Sequence, residues 1–431
     1  MTDIKIDFTK VTGKIKPMHA VNNGPAGSSV RKGNSTFDYF REAGIPYARN
    51  HDASFYTGYG SEYTVDVHRI FTDFNADPYN PESYDFECTD EYVKNTFSVG
   101  TEVFYRLGSS IEHGKKKGTF PPPDFEKWAV ICEHIIRHYN EGWANGFEYG
   151  IEYWEIWNEP DCTNADGSNP CWQGTQEQFI ELFSVAAKHL KSCFPNLKIG
   201  GPALAGKVDW ANDFLCEMQK REVEIDFFSW HVYMKFPQKM LDKAAAIKEL
   251  LVKYGYENAE SILNEWNYVK DWREYFAYSI ETIIGAKGAA FTASVICSAQ
   301  RSSIDMLMYY DTRPSVFNGI FDYYTYRKLK GYYALYWYGK FYDTEREILP
   351  ECLPDDVYAI CGEDKDGKLT AMVTYYSDEE LENKKLAVDF GKAGEYEVYL
   401  TDPDHDGELI AVTDKIELDL KLHSIVFIKE K

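Results

Sequence analysis

Two short apolar runs in the sequence end the same way, in Asn-Glu: Tyr153-Trp154-Glu155-Ile156-Trp157-Asn158-Glu159-Pro160 and Ser261-Ile262-Leu263-Asn264-Glu265-Trp266-Asn267. Both are rich in β-favouring residues and read as buried strands that stop at a carboxylate. Pro160 has no N–H to give a ladder and biases Glu159 toward extended backbone, so the chain is expected to turn out there. Two carboxyl groups facing each other can cleave a glycosidic bond. One, kept neutral, protonates the leaving oxygen, while the other, ionised, acts behind the anomeric carbon. A solitary glutamate is most often a surface or capping residue. Two matched strand ends packed with tryptophan favour the catalytic reading of Glu159 and Glu265.

Such a pair needs a scaffold that brings distant strand ends together. Strand-like runs recur at 18–24, 45–49, 101–106, 152–158, 197–201, 225–230, 261–267 and 304–309. Helical spacing separates them at 37–44, 90–99, 124–140, 176–193, 209–220, 239–254 and 272–287, and a last helix near 325–340 closes the set. This alternation predicts an α/β fold, a (β/α)8 TIM barrel over residues 17–343, with reacting groups at the C-terminal ends of its strands. Arg49 and His51 follow the second strand, Glu159 the fourth, His231 and Tyr233 the sixth, and Glu265 the seventh. Beyond about residue 344 the pattern changes to short strands at 357–360, 369–375, 386–388, 396–400 and 424–428, separated by turns such as Asp366-Gly367 and Asp406-Gly407. They predict a small antiparallel β-sandwich accessory domain over 344–431. The alternating stretch Ile4, Ile6, Phe8 has no neighbour in a barrel, so residues 1–16 are assigned to that sandwich.

Composition narrows the partners. A formal net charge of -23 disfavours nucleic acid and anionic membranes. No run of apolar residues is long enough for a membrane span. The start Met1-Thr2-Asp3-Ile4-Lys5 shows no signal-peptide core. The 9 cysteines are odd in number and scattered, which fits reduced thiols and a cytoplasmic protein. Cys162 and Cys171 flank one loop, where free thiols are expected over a bridge. Aromatics make up 16% of the chain, and Tyr and Trp suit sugar rings as well as an ordinary core. The expected partner is a small oligosaccharide or glycoside; no cofactor or metal is expected, and a homo-oligomer is left open.

The segments Trp154–Pro160, Ser229-Trp230-His231-Val232-Tyr233 and Asn264-Glu265-Trp266-Asn267 together resemble glycoside hydrolase family 39, which holds β-xylosidases and α-L-iduronidases within a clan of retaining barrel enzymes. The resemblance spans the barrel and extends to the flanking strands. It implies that Glu159 is the general acid/base, Glu265 the nucleophile and Asn158 the ligand of the sugar 2-hydroxyl. Tyr233 and Arg49 would keep Glu265 ionised. His51 and His231 would bind glycone hydroxyls, and Asp52, His113 and Trp266 join them as substrate-binding candidates. The implied activity is a retaining glycoside hydrolase on a plant-type glycan, β-xylosidase-like. Related exo-glycosidases of arabinosidase, galactosidase or uronidase type, and a catalytically silent carbohydrate-binding barrel, are the alternatives. The sequence departs from the family's xylosidases at Asn264, at Trp266 and in Tyr310-Asp311-Thr312-Arg313.

Other constellations carry less. The i, i+4 pair His134 and His138 is not a zinc motif and reads as a helix face. Residues 402–408 lack a full calcium loop and read as a hairpin turn. Lys115-Lys116-Lys117 follows the third barrel strand; a solvated loop is the plainer reading and attraction of an acidic glycan the sharper one.

Overall fold

The computed structural model describes residues 2–27, 34–52, 64–112, 116–342, 344 and 346–431. The strands among them are β1 (Thr2–Gly13), β2 (Ala20–Asn22), β3 (Tyr47–Arg49), β4 (Glu102–Leu107), β5 (Tyr153–Ile156), β6 (Lys198–Leu204), β7 (Phe227–Tyr233), β8 (Glu260–Asn267), β9 (Met306–Tyr309), β10 (Glu347–Glu351), β11 (Val357–Glu363), β12 (Leu369–Tyr375), β13 (Lys384–Asp389), β14 (Tyr396–Thr401), β15 (Asp406–Thr413), β16 (Ile416–Leu420) and β17 (Ser424–Glu430). Strands β2 to β9 run parallel in sequence order, and β9 pairs with β2 to close the barrel. The fold class is the one the alternation of strands and helices predicts.

Side chains fill the barrel in layers, as period-two alternation along its strands requires. Ala20, Phe104, Tyr153, Phe227, Ile262, Met306 and Met308 form an apolar floor. One step higher on β5 and β7 stand Glu155 and Ser229, and another step brings His231 to the mouth. Strand β8 breaks this regularity. Trp230 pairs with Leu263 but His231 pairs with Glu265, so Asn264 is an extra residue in the ladder. Such a bulge re-aims the side chains beyond it. Asn264 and Glu265 both face the interior, and Trp266 is sent outward.

Eight of the nine strands of the accessory sheet come from the C-terminal part of the chain, in the order β15-β14-β17-β12-β11-β10-β1-β13-β16. The ladder between β1 and β13 is parallel, so the sheet is mostly rather than wholly antiparallel. Strands β10, β15 and β16 were not anticipated. β15 has hardly a buried side chain, and β10 and β16 are short. The sheet wraps a core containing Ile4, Ile348, Val388, Val398 and Leu418, while its outer face docks on barrel helices, with Phe427 stacked on Trp337 at 5.7 Å.

The helix Ala286–Ala299 is the largest element that periodicity missed. A helix was expected at 272–287, yet the chain forms Phe276–Ile283, bends by 79°, and continues as Ala286–Ala299. The second helix is buried nearly all round between the barrel and β12, so it has no polar stripe to reveal it. No single helix among the described residues is long and apolar enough to cross a membrane.

β1 lies inside the sheet, antiparallel to β10 and parallel to β13. Its removal strands two ladders and takes the buried Ile4 and Ile6 out of the core. Each such side chain contributes roughly 1.5–3 kcal/mol on burial, a large share of the roughly 5–15 kcal/mol that holds a typical protein folded. Deleting residues 1–16 is therefore expected to lower the melting temperature by several degrees and to drive aggregation through the exposed edges. A truncated chain that melts unchanged in scanning calorimetry would contradict this.

Candidate active site

The floor of the site is a buried ionic layer centred on Arg49, at the end of β3. Its Nε donates to Glu155 Oε2 at 2.6 Å, Nη1 to Asn22 Oδ1 at 3.2 Å and Glu265 Oε1 at 2.7 Å, and Nη2 to Asn158 Oδ1 at 2.8 Å. Glu155 is fully buried and also accepts from Ser229 Oγ and Asn264 Nδ2 at 2.5 Å each. A buried guanidinium is tolerable only with such complete pairing. The layer ties β2, β3, β5, β7 and β8 together and fixes both Asn158 and Glu265. Because Asn158 turns its oxygen to Arg49, its amide nitrogen is the end able to donate to a ligand.

Glu265 receives two further donors. Tyr233 Oη donates to Oε2 at 2.8 Å, and His51 Nε2 stands 3.3 Å from Oε1. Arg106 Nε donates to His51 Nδ1 at 3.3 Å, so Nδ1 is the acceptor and Nε2 carries the proton. Burial moves the His51 pKa well below its usual value, so the ring is neutral and donates from Nε2. Asp52 shares that nitrogen, with its Oδ1 also 3.3 Å from His51 Nε2. Its Oδ1 takes Ser110 Oγ, and its Oδ2 takes Tyr310 Oη and Arg313. Burial opposes ionisation of Asp52, but His51, Arg313 and the two hydroxyls more than offset it and hold the group below the ordinary carboxylate range. Asp52 is thus spent on holding His51 and the loop after β9.

Glu159 sits in a different environment. Trp157 and Glu159 take φ of 75° and 47°, in the left-handed region that non-glycine residues avoid, so Glu159 is not extended as Pro160 suggested. Tertiary bonds impose this path. Trp157 N–H donates to Leu107 O, its indole N–H to Cys171 O, and Glu159 N–H to Ala203 O, all at 2.9 Å. Gly108 makes room for the turn, since a Cβ there would fall 2.7 Å from the Trp157 ring. The Glu159 carboxyl meets His231 Nδ1 at 2.7 Å and Cys171 Sγ at 3.8 Å, with no guanidinium or ammonium in contact among the described residues. Burial pushes its pKa up to about 7. Burial lowers His231 to about 4, so that ring is neutral as well.

Burial raises the Glu265 pKa too, with His231 and Arg49 opposing it. Among the described residues only Glu265 has an arginine in direct contact, so of the two carboxyls it is the one built to be ionised and Glu159 the one built to hold a proton. Glu159, His231 and Glu265 each present an atom within 4.8 Å of the others. An acid and a carboxylate this close, over an arginine-anchored layer, can act on opposite sides of one acetal carbon.

The structure therefore gathers Arg49, His51, Asn158, Glu159, His231, Tyr233 and Glu265 at one mouth, with Asp52 as a buttress. Trp266 is a correction. The β8 bulge turns it outward, and its fully buried ring packs on Tyr309 at 5.6 Å and Phe291 at 6.2 Å, with no surface left to offer a sugar. His113 lies outside the described residues, as does Lys115. Lys116 is bound to the Glu112 carbonyl, and the Glu112 carboxylate takes the backbone N–H groups of Lys117, Gly118 and Thr119. Residues not singled out in the sequence are Glu155, the inward position of a motif otherwise read for its end, and Trp272. Trp272 is 53% exposed and stands against Tyr233 at 5.1 Å beside Phe317 and Phe276, an aromatic wall at the mouth.

The sequence profile of glycosyl hydrolases family 39 matches residues 36–273, more than half of the chain. The chain belongs to glycosyl hydrolase family 39. A protein named β-xylosidase from Geobacillus stearothermophilus is 30% identical over 232 residues, 46% of this chain and 44% of that one. A second, from Caldicellulosiruptor saccharolyticus, is 29% identical over 161 residues, 35% of this chain and 31% of that one. The matches thus span less than half the length of these relatives. Among solved structures, a glucosidase from Croceicoccus marinus covers 100% of this chain and 98% of its own, with a TM-score of 0.81 at 22% identity, a likeness of fold. The family 39 profile covers β3 to β8, the strands that supply both glutamates and most of their partners.

Proposed function

We propose that this protein is a retaining glycoside hydrolase that works by double displacement, with Glu265 as nucleophile and Glu159 as acid/base, on a β-linked xylose-type glycone. One observation carries the reading. One oxygen of each carboxyl lies within 4.8 Å of one on the other, a closeness that suits the roughly 5–5.5 Å group spacing of retaining enzymes better than the roughly 6.5–9.5 Å that admits a water between them. The names of the β-xylosidase relatives favour xylose, and the Trp272 wall suits a sugar face.

In the first step Glu265 attacks the anomeric carbon while the Glu159 proton passes to the leaving oxygen. Arg49, Tyr233 and His51 hold the nucleophile in line, and Asn158 Nδ2 donates to the 2-hydroxyl, a contact that tightens as positive charge grows on the ring. In the second step Glu159, now ionised, takes a proton from water, which displaces Glu265 on the same face. His231 Nδ1 sits on Glu159, and the neutral ring can accept a hydrogen bond from the protonated carboxyl or, in its other tautomer, donate one to the ionised carboxylate. A panel of aryl glycosides tests the glycone. A β-xyloside is expected to give the highest kcat/KM, and a clear preference for an α-arabinofuranoside or a β-galactoside would overturn that part.

The two carboxyls also set the pH profile. Glu159 must be protonated in the free enzyme, so kcat/KM is expected to fall as pH rises through about 7. Glu265 must be ionised, so activity falls again on the acid side. In Glu159→Gln, measured with an activated aryl glycoside, the alkaline limb disappears. Retention of that limb would assign it to another group.

A further inference from the structure

We propose that Cys162, Cys171 and Glu159 form a binding site for a thiophilic divalent cation of the zinc class. One ligand atom from each lies within 4.8 Å of the other two, and both cysteines are free. Cys171 is buried, with its N–H held by Asn169 Oδ1 at 2.8 Å and its carbonyl by the Trp157 indole. That sulfur is therefore fixed in place, and it already donates to Glu159 Oε2 at 3.8 Å. Cys162 is half-buried and its N–H is bonded to the Glu159 carbonyl at 3.0 Å, which holds the second thiol beside the first. The Glu159 side chain keeps 16% of its surface exposed, enough for an ion to enter from the mouth.

Two thiols and a carboxyl make a suitable donor set for a borderline-soft ion, because tetrahedral zinc takes sulfur at about 2.3 Å and carboxylate oxygen at about 2.0–2.2 Å, leaving the fourth position to water. Binding displaces the thiol and carboxyl protons into solvent. A second cluster, Glu133, His189 and Cys193, has comparable spacing on two outer helices. There Arg137 Nε already donates to Glu133 at 2.8 Å, and its guanidinium would repel a cation. Resting on the reading of Glu159 as acid/base, the site has a consequence: an ion held there takes the lone pairs that carry the catalytic proton, so binding and inhibition share one stoichiometry.

The test is titration of the full chain, kept reduced with a phosphine and free of chelator, with cadmium(II). The cadmium–thiolate charge-transfer absorbance is followed beside the rate on an aryl β-xyloside. One ion per chain is expected to give the band and stop turnover, and a chelator is expected to restore it. In Cys162→Ser, and in the Cys162→Ser/Cys171→Ser double variant with its fold checked by circular dichroism, the concentration needed for either effect rises at least about a hundredfold. Losing even outer-shell partners costs roughly 10–100-fold in metal affinity. Each variant is referred to its own metal-free rate. A band that persists in both variants, or one that never appears in the parent chain, would overturn the site. A band at one ion per chain that is lost in the variants but leaves turnover intact would uphold the two thiols as ligands; weaker cadmium binding in Glu159→Gln would then keep the carboxyl in the site and count against Glu159 as acid/base, while unchanged binding would remove Glu159 from the site.

Discussion

Glu265→Ala is expected to lower turnover by on the order of a million-fold, the scale on which removal of a catalytic nucleophile acts in a covalent mechanism. The loss should appear in kcat for every substrate, including those with activated leaving groups, because no glycosyl-enzyme can form. Added azide would take the vacated position and attack from the same side as the lost carboxylate, giving a glycosyl azide of inverted configuration. Substitution also leaves Arg49 Nη1, Tyr233 Oη and His51 Nε2 without their shared acceptor. Those donors make the cavity a fitting berth for a small anion. A variant that keeps a hundredth or more of parent activity would remove Glu265 from the nucleophile's role.

Glu159→Ala is expected to behave differently. General acid–base assistance is worth about 10²–10⁴-fold, and the whole of it should be lost with a poor leaving group such as a second sugar. With an activated aryl leaving group the first step needs little proton transfer, so hydrolysis of the glycosyl-enzyme becomes limiting and the intermediate accumulates as a burst. Azide then speeds turnover and yields a glycosyl azide of retained configuration. The opposite azide products from the two variants separate the two roles, and identical products would contradict the assignment.

Glu159 and Glu265 were singled out in the sequence because each stands toward the end of a short β-rich run, and a barrel sends strand ends to one mouth; β8 itself runs past Glu265 to Asn267. Arg49, His51, His231 and Tyr233 were placed by the strand ends, and their roles, with that of Asn158, came through the family resemblance. Period-two spacing on β7 agrees with part of that set, since Ser229, His231 and Tyr233 all project inward. Trp266 was misread because the bulge at Asn264 changes the phase of β8, and a single inserted ladder residue leaves no local sequence mark. Glu155 was overlooked for a related reason. A fully buried carboxylate is tolerable only beside Arg49, and that partner is distant in the sequence. Hidden burial also explains Ala286–Ala299, whose apolar character runs round the whole helix rather than along one face. Glu159 itself escaped the backbone rule for residues before proline, because bonds from β4, β6 and the Cys171 loop set its conformation.

The central claim is that Glu265 and Glu159 flank one anomeric carbon at the close spacing of a retaining pair. Proton NMR of the first-formed sugar, recorded within seconds of adding enzyme to a β-xyloside and before mutarotation, tests this most directly. The β-anomer of the free sugar is predicted to appear first and the α-anomer only as solution equilibrium is reached. An α-anomer that appears first would mean inversion, a water placed between the carboxylates, and an active-site geometry other than the one described.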